Sequence, residues 1–90
     1  MAANLSTRER LPIRVLYVED EYGIRLPMLE MMSRWVEDII VAANGEEGLE
    51  AFKQTGADLV ISDLKMPHMD GLEMIAAIKS IDPNVKTIVV

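Results

Sequence analysis

Four short apolar runs alternate along this 90-residue chain with stretches whose apolar residues recur at helical spacing. The runs are rich in β-branched residues, as expected of strands that are covered on both faces. They are Ile13–Val18, Asp38–Ala43, Leu59–Ile61 and Val85–Val90. This alternation predicts a βαβαβαβ chain, in which right-handed crossovers place helices on the faces of a parallel sheet.

The first helical segment has apolar residues on one predicted face. These residues are Ile24, Met28, Met31 or Met32, and Trp35. Their spacing is typical of an amphipathic helix that packs against a sheet. Pro27 lies inside a helix that begins near Glu21, and it predicts either an irregular first turn or a bend because proline removes a backbone hydrogen bond.

Capping residues predict where the second and third helices begin. Asn44 precedes a helix from about Gly45 to Gln54, and Asp70 precedes a helix that runs to about Ile81. A glutamate follows each cap three residues later, which is the spacing of a capping box. Gly56 stands where the second helix needs a left-handed residue at its end.

Length, charge and the absence of cysteine restrict the class of protein. The chain fits one small domain, and residues 1–12, which show no apolar period, are predicted to be a flexible tail. Without cysteine, the sequence excludes a disulfide scaffold, a thiolate zinc site and a cysteine nucleophile. Its net charge of −6 disfavours nucleic acid and anionic membranes as partners. No run resembles a membrane span or a signal peptide, so a cytoplasmic location is expected.

Carboxylates follow two of the predicted strands. Glu19, Asp20 and Glu21 come after the first strand, and Asp63 ends the third. Function in an open parallel sheet gathers at the carboxyl ends of the strands, so we expect Asp20 and Asp63 to lie close together with Glu19 at the rim. Clustered carboxylate oxygens suit Mg²⁺. The alternative is that these are ordinary solvated acids at strand ends.

Asp63 and its loop contain the residues that suggest phosphoryl chemistry. A metal-bound carboxylate can attack phosphorus and form an acyl phosphate, although Asp63 alone also suits a strand-terminating turn. The Lys65 side chain could reach a phosphoryl group, but its backbone carbonyl is the more useful atom. His68, the single histidine, is expected to be a polar loop residue, and Gly71 is expected to permit a sharp turn into the third helix.

Three motifs resemble the receiver domain of bacterial two-component response regulators. They are Val-Glu-Asp-Glu at 18–21, Asn-Gly-Glu-Glu-Gly-Leu at 44–49, and the stretch 58–73, where Met-Pro-x-Met-Asp-Gly follows the acceptor aspartate. The resemblance covers residues 13–90. It implies a flavodoxin-like, CheY-like, doubly wound parallel sheet with the order 2-1-3-4 for the four strands present.

The resemblance also implies a role for each acid. Asp63 would accept a phosphoryl group from a sensor histidine kinase or a phosphotransfer protein. Asp20, Asp63 and the carbonyl of Lys65 would bind Mg²⁺, and Glu19 would act through water. The chain would then be a regulatory phospho-acceptor domain, with self-phosphorylation and dephosphorylation as its only chemistry, and not an enzyme.

The sequence stops before other parts of a receiver. The family has a Ser or Thr after the fourth strand, a Lys after the fifth, and two further helices. The expectation is therefore a receiver truncated after its fourth strand, with impaired switching. The uncovered fourth strand is expected to produce a homodimer or a larger oligomer.

Three alternatives to a phospho-accepting receiver differ in the residues that they require. A receiver-like module that is not phosphorylated and serves dimerisation or docking stays an alternative. A phosphatase of the haloacid-dehalogenase type needs two aspartates two positions apart, whereas Asp20 is followed by Glu21 and Tyr22. A nucleotide or flavin site needs a glycine-rich turn after the first strand, where this chain has acids.

Overall fold

A computed structural model describes residues 9–90 and contains the predicted alternation of strands and helices. The elements are β1 (Leu11–Val18), α1 (Tyr22–Met32), β2 (Val36–Ala42), α2 (Gly45–Thr55), β3 (Leu59–Ser62), α3 (Gly71–Ile81) and β4 (Lys86–Val89). All neighbouring strands are parallel, in the order β2-β1-β3-β4. The predicted fold and strand order are therefore confirmed. In the part of the chain so described, no helix is long and apolar enough to cross a membrane.

The first strand begins two residues earlier than predicted. The N–H of Leu11 donates to the carbonyl of Trp35 at 2.7 Å, and the pairing register with β2 shifts between Leu11 and Arg14. Pro12 lies in this irregularity, where a residue without an N–H costs no ladder hydrogen bond. The predicted tail therefore reached two residues too far into the fold, and its residues 1–8 lie outside the described part.

The core lies between the sheet and the layer formed by α2 and α3. On β1, Leu16 and Val18 point into this core, while Val15 and Tyr17 alternate with them and point to the opposite face. All four side chains are at most 2% exposed. Strand β1 is one of the two inner strands of the sheet, and its burial on both faces explains its nearly continuous apolar sequence.

The buried face of α1 differs from the predicted one. Ile24 and Met31 are 45% and 47% exposed, and Trp35 lies beyond the end of the helix. The less exposed positions of α1 are Arg25, Met28, Leu29 and Met32. Met28 and Met32 were predicted correctly, whereas Ile24 and Trp35 were not, because α1 has apolar residues almost all round and overlapping stripes of the same spacing fit its sequence. Pro27 lies within the helix on an exposed position.

The predicted capping residues begin the other two helices. The Asn44 side chain accepts a hydrogen bond from the N–H of Glu47 at 2.8 Å. Asp70 and Glu73 form a complete capping box. Gly56 has a φ of 69° after α2, as predicted from its position. These caps fix the loops that enter α2 and α3 at the carboxyl edge of the sheet.

Candidate metal centre

Three carboxylates meet at the carboxyl edge of the sheet. One oxygen of each of Glu19, Asp20 and Asp63 lies within 4.8 Å of the others. The register that pairs Val18 with Ser62 places the residues after β1 beside the residue after β3, and the Asp63 N–H donates to the Val18 carbonyl at 3.0 Å. The sheet therefore brings together the acids that the sequence predicted to be neighbours.

Glu19 is buried rather than at the rim, where the sequence had placed it. It is 4% exposed, and its N–H donates to the carbonyl of Ala42 at 3.1 Å. Its carboxylate accepts a hydrogen bond from the N–H of Glu21 at 3.3 Å. Burial raises the pKa of Glu19, the neighbouring Asp63 and Asp20 raise it further, and the hydrogen bond from Glu21 acts in the opposite direction. The site therefore holds a carboxylate whose ionisation is opposed by its surroundings.

A raised pKa of Glu19 predicts how stability changes with pH in metal-free buffer. The folded state holds the Glu19 proton to higher pH than the unfolded state does, so this group makes the fold less stable as the pH rises from the ordinary glutamate pKa through the raised one. Glu19→Gln cannot ionise and lacks this loss. We expect the free energy of unfolding of Glu19→Gln, measured by urea denaturation, to increase relative to that of the wild type as the pH rises from acidic to neutral. Parallel curves for the two proteins would contradict the assignment, and Glu37→Gln, at an exposed position on β2, is the control.

The donor set of this cluster fits Mg²⁺. Carboxylate oxygens are hard ligands, and Mg²⁺ is usually bound by one or two carboxylates while it keeps several waters. Three carboxylates this close repel one another, and a divalent cation relieves that repulsion. The Lys65 side chain is exposed, and the role of its carbonyl stays a prediction. His68, also exposed, has a φ of 67°, so its position is a left-handed turn in the β3–α3 loop, which histidine enters more readily than most residues.

Gly71 is needed for close approach and not for the turn that the sequence suggested. Its φ is not in the left-handed region, and it is the first residue of α3. A Cβ atom there would overlap the Asp63 carbonyl oxygen and lie 3.1 Å from the Ser62 hydroxyl. The Gly71 N–H donates to the carbonyl of Leu64 at 2.9 Å. Helix α3 is therefore packed directly against the backbone of Asp63, the residue that follows β3.

Ser62 was not singled out from the sequence. Its side chain is fully buried, and its hydroxyl donates to the Asp63 carbonyl at 2.8 Å. At the other end of the loop, a Cβ on Gly45 would overlap the carbonyl oxygen of Met69. The β3–α3 loop is thus fixed between the first residues of two helices. The small residues at 45, 62 and 71 were the available signal, but their partners follow only from the three-dimensional arrangement.

A groove of about 330 Å³ lies at the opposite edge of the sheet and contains none of the three clustered acids. The guanidinium of Arg14 in this groove is already paired. Its Nε lies 2.7 Å from Asp38, and its Nη1 donates to the Thr55 carbonyl at 2.7 Å. The Asp58 carboxylate accepts a hydrogen bond from the Arg14 N–H. These charged groups join β1, β2 and the α2–β3 connection, which is a structural role.

Comparison with known proteins assigns nearly the whole chain to the family that its sequence motifs resemble. Residues 15–90 match the family described as response regulator receiver domain. Sporulation initiation phosphotransferase F of Bacillus subtilis is 37% identical over 76 residues, which are 84% of this chain and 61% of that protein. Chemotaxis protein CheY of Thermotoga maritima is 36% identical over 77 residues, which are 84% of this chain and 64% of that protein.

A solved structure shares the fold as well as the sequence similarity. A chain from the CheX–CheY–BeF₃–Mg²⁺ complex of Borrelia burgdorferi superimposes with a TM-score of 0.78 at 30% identity. The match covers 88% of this chain and 61% of that one. The chain therefore spans less than two thirds of the length of these relatives. Its match over residues 15–90, together with its parallel sheet and acidic edge, shows that it belongs to the receiver-domain family of response regulators.

Proposed function

We propose that this chain accepts a phosphoryl group on Asp63 from a sensor histidine kinase or a phosphotransfer protein. The observation that carries the proposal is the cluster in which oxygens of Asp63, Asp20 and Glu19 lie within 4.8 Å of one another. Asp20, Asp63 and the carbonyl of Lys65 would hold Mg²⁺, with Glu19 acting through water. The Borrelia burgdorferi complex, which contains Mg²⁺ and BeF₃, supports this choice of ion.

The chemistry is a transfer of phosphorus between two nucleophiles. A carboxylate oxygen of Asp63 attacks the phosphorus, the bond from phosphorus to the donor's imidazole nitrogen breaks, and the electron pair of that bond leaves with the imidazole. The product on the protein is an acyl phosphate. When bound, Mg²⁺ neutralises charge on the phosphoryl oxygens. The Ser62 hydroxyl donates to the carbonyl of Asp63, and the Gly71 N–H donates to the carbonyl of Leu64 in the same loop. These hydrogen bonds hold the nucleophile in place.

Acetyl phosphate tests this proposal without a cognate kinase. The chain is incubated with acetyl phosphate with and without Mg²⁺, and intact mass is recorded before and after treatment with hydroxylamine, which cleaves acyl phosphates. We expect a single phosphoryl adduct that requires Mg²⁺ and is removed by hydroxylamine. An adduct that forms equally without Mg²⁺, or that resists hydroxylamine, would contradict an Asp63 acyl phosphate.

A second function, self-association, is favoured by the edge of the sheet formed by β4. The N–H groups of Lys86 and Val90 donate to Asp58 and Ser62 in the β3 segment, so the N–H groups of Thr87 and Val89, which alternate with them, point away from the sheet. Ile88 and Val90 are 48% and 70% exposed. An apolar edge with free backbone donors pairs readily with a similar edge. We propose that a second copy of the chain pairs with β4 about a two-fold axis.

Proline at position 87 tests this association. Thr87→Pro removes an outward N–H and leaves the hydrogen bonds to β3 in place, so we expect it to convert the dimer to a monomer in light scattering at micromolar concentration. Thr87→Val keeps the N–H and is the matched control, expected to stay dimeric. A wild-type chain that scatters as a 10.1 kDa monomer at every concentration would exclude the proposed dimer.

A further inference from the structure

Arg25 lies on the inner face of α1, at the end of the helix nearest the acidic cluster. The less exposed residues of this helix are Arg25, Met28, Leu29 and Met32, which are spaced as one helical face. Three of these are apolar side chains that pack towards the sheet. The fourth is a cation at a position where an apolar side chain would extend the same face. A charge at such a position requires polar partners, because burying an unpaired charge is costly.

The partners of Arg25 belong to the turn that carries the acids. Its Nη1 donates to the backbone carbonyl of Glu19 at 2.8 Å, and its Cζ lies 5.5 Å from the centre of the Tyr22 ring. Its own N–H donates to the carbonyl of Glu21 at 2.8 Å. Arg25 thus contacts the β1–α1 turn on both sides of Asp20.

The Glu19 carbonyl is the first backbone acceptor beyond β1, so its direction sets the path of the turn. The N–H of Glu19 is held by Ala42, and its carboxylate is held by the N–H of Glu21. The guanidinium completes this set by fixing the carbonyl, and with it the peptide group that joins Glu19 to Asp20. Hydrogen bonds from a charged donor are about twice as strong as neutral ones.

The charge of Arg25 is felt at Tyr17 on the adjoining strand. Burial, Glu19 and Asp63 raise the pKa of the Tyr17 phenol, whereas Arg25 lowers it. Its positive charge by itself opposes the binding of a cation, while its hydrogen bond holds a metal ligand in place. Removing the charge would tighten metal binding, whereas removing the hydrogen bond would weaken it. The metal affinity of a variant without the guanidinium therefore shows which effect is larger.

We propose that Arg25 is a positioning residue for the metal centre, in which its hydrogen bond to the Glu19 carbonyl fixes the turn that presents Asp20 to the ion. This inference rests on the proposed Mg²⁺ site. It concerns a residue outside the cluster of carboxylates and predicts that metal affinity depends on a side chain that never contacts the metal.

Titration with Mn²⁺, observed by electron paramagnetic resonance, tests the proposal in three variants of the full chain. Arg25→Met keeps an unbranched stem and removes the donor, and we expect it to weaken Mn²⁺ binding about tenfold, the effect of one lost charge-assisted hydrogen bond. Arg25→Lys keeps a charged donor and is expected to recover most of the affinity. Arg34→Met, at an exposed arginine beyond α1, should bind as the wild type does.

Urea denaturation in metal-free buffer separates positioning from general stability. We expect Arg25→Met to unfold at nearly the wild-type urea concentration while it binds Mn²⁺ more weakly. Unchanged or tighter binding by Arg25→Met would overturn the proposal, as would weak binding that tracks a loss of fold and is not recovered by lysine. A wild-type chain that binds no Mn²⁺ would instead overturn the metal site itself.

Discussion

Replacing Asp63 with asparagine is expected to abolish the phosphoryl adduct that the proposal predicts acetyl phosphate to form on the wild-type chain. An amide oxygen carries no negative charge and cannot form a stable acyl phosphate, so no increase in Mg²⁺ concentration should restore the adduct. The two side chains have the same shape, so the fold should be retained. Intact mass measures the result, and Asp58→Asn, at the opposite edge of the sheet, is the matched control that should label as the wild type does.

Asp20→Asn tests the proposed metal ligand separately from the proposed nucleophile. This variant keeps Asp63, so its adduct should form only at much higher Mg²⁺ concentration, and calorimetry should detect no binding of Mg²⁺ at concentrations that saturate the wild type. If Asp63→Asn were labelled as strongly as the wild type, the acceptor would be another residue. If Asp20→Asn bound Mg²⁺ normally, Asp20 would not be a ligand.

Gly71→Ala is expected to destabilise the fold and to displace Asp63 at the same time. The added methyl group would overlap the Asp63 carbonyl oxygen, which is backbone and cannot rotate away as a side chain can. Overpacking of this kind costs about 1–3 kcal/mol, and we expect a value near the upper end, measured as the free energy of unfolding in urea. Movement of the Asp63 backbone should also weaken Mg²⁺ binding.

Gly23→Ala provides the comparison for this variant. Gly23 also lies in the first turn of its helix, but a Cβ there meets nothing within 4 Å. Alanine should therefore leave Mg²⁺ binding unchanged and stabilise the helix by up to about 1 kcal/mol. If Gly71→Ala were as stable as Gly23→Ala and bound Mg²⁺ as well as it does, then close approach at Gly71 would have no importance for the site.

The sequence was sufficient for the architecture because each strand and helix carries a local signal. The apolar runs identified the strands, and the caps at Asn44 and Asp70 located two helix starts within one residue. The juxtaposition of Asp20 and Asp63 followed from the rule that parallel strands end at one edge of the sheet. These signals depend on periodicity and spacing, which a single chain displays directly.

What the sequence did not predict depends on contacts between distant residues. The inner face of α1 was predicted only in part, with Met28 and Met32 right and Ile24 wrong, because its many apolar residues fit more than one stripe and only packing against the sheet selects one. Glu19 is buried because β1 is covered on both faces. Its charge had instead suggested an exposed position. Ser62 and Gly71 owe their importance to the Asp63 carbonyl between them, and no local pattern indicates such a contact.

Two backbone hydrogen bonds join Val90, the residue after β4, to the residues on either side of Asp63. They bear on the exchange of amide protons with solvent. The N–H of Leu64 donates to the carbonyl of Val90, and the N–H of Val90 donates to Ser62 on the other side of Asp63. Strand β1 is paired on both sides, whereas β4 has four residues and one neighbour. We therefore expect local opening to begin at β4 and to release the amide of Leu64, while the β1 amides stay protected. Fraying of this edge should thus reach the backbone beside Asp63, and we expect amide exchange to be faster at Leu64 than at the β1 residues that precede Glu19 and Asp20.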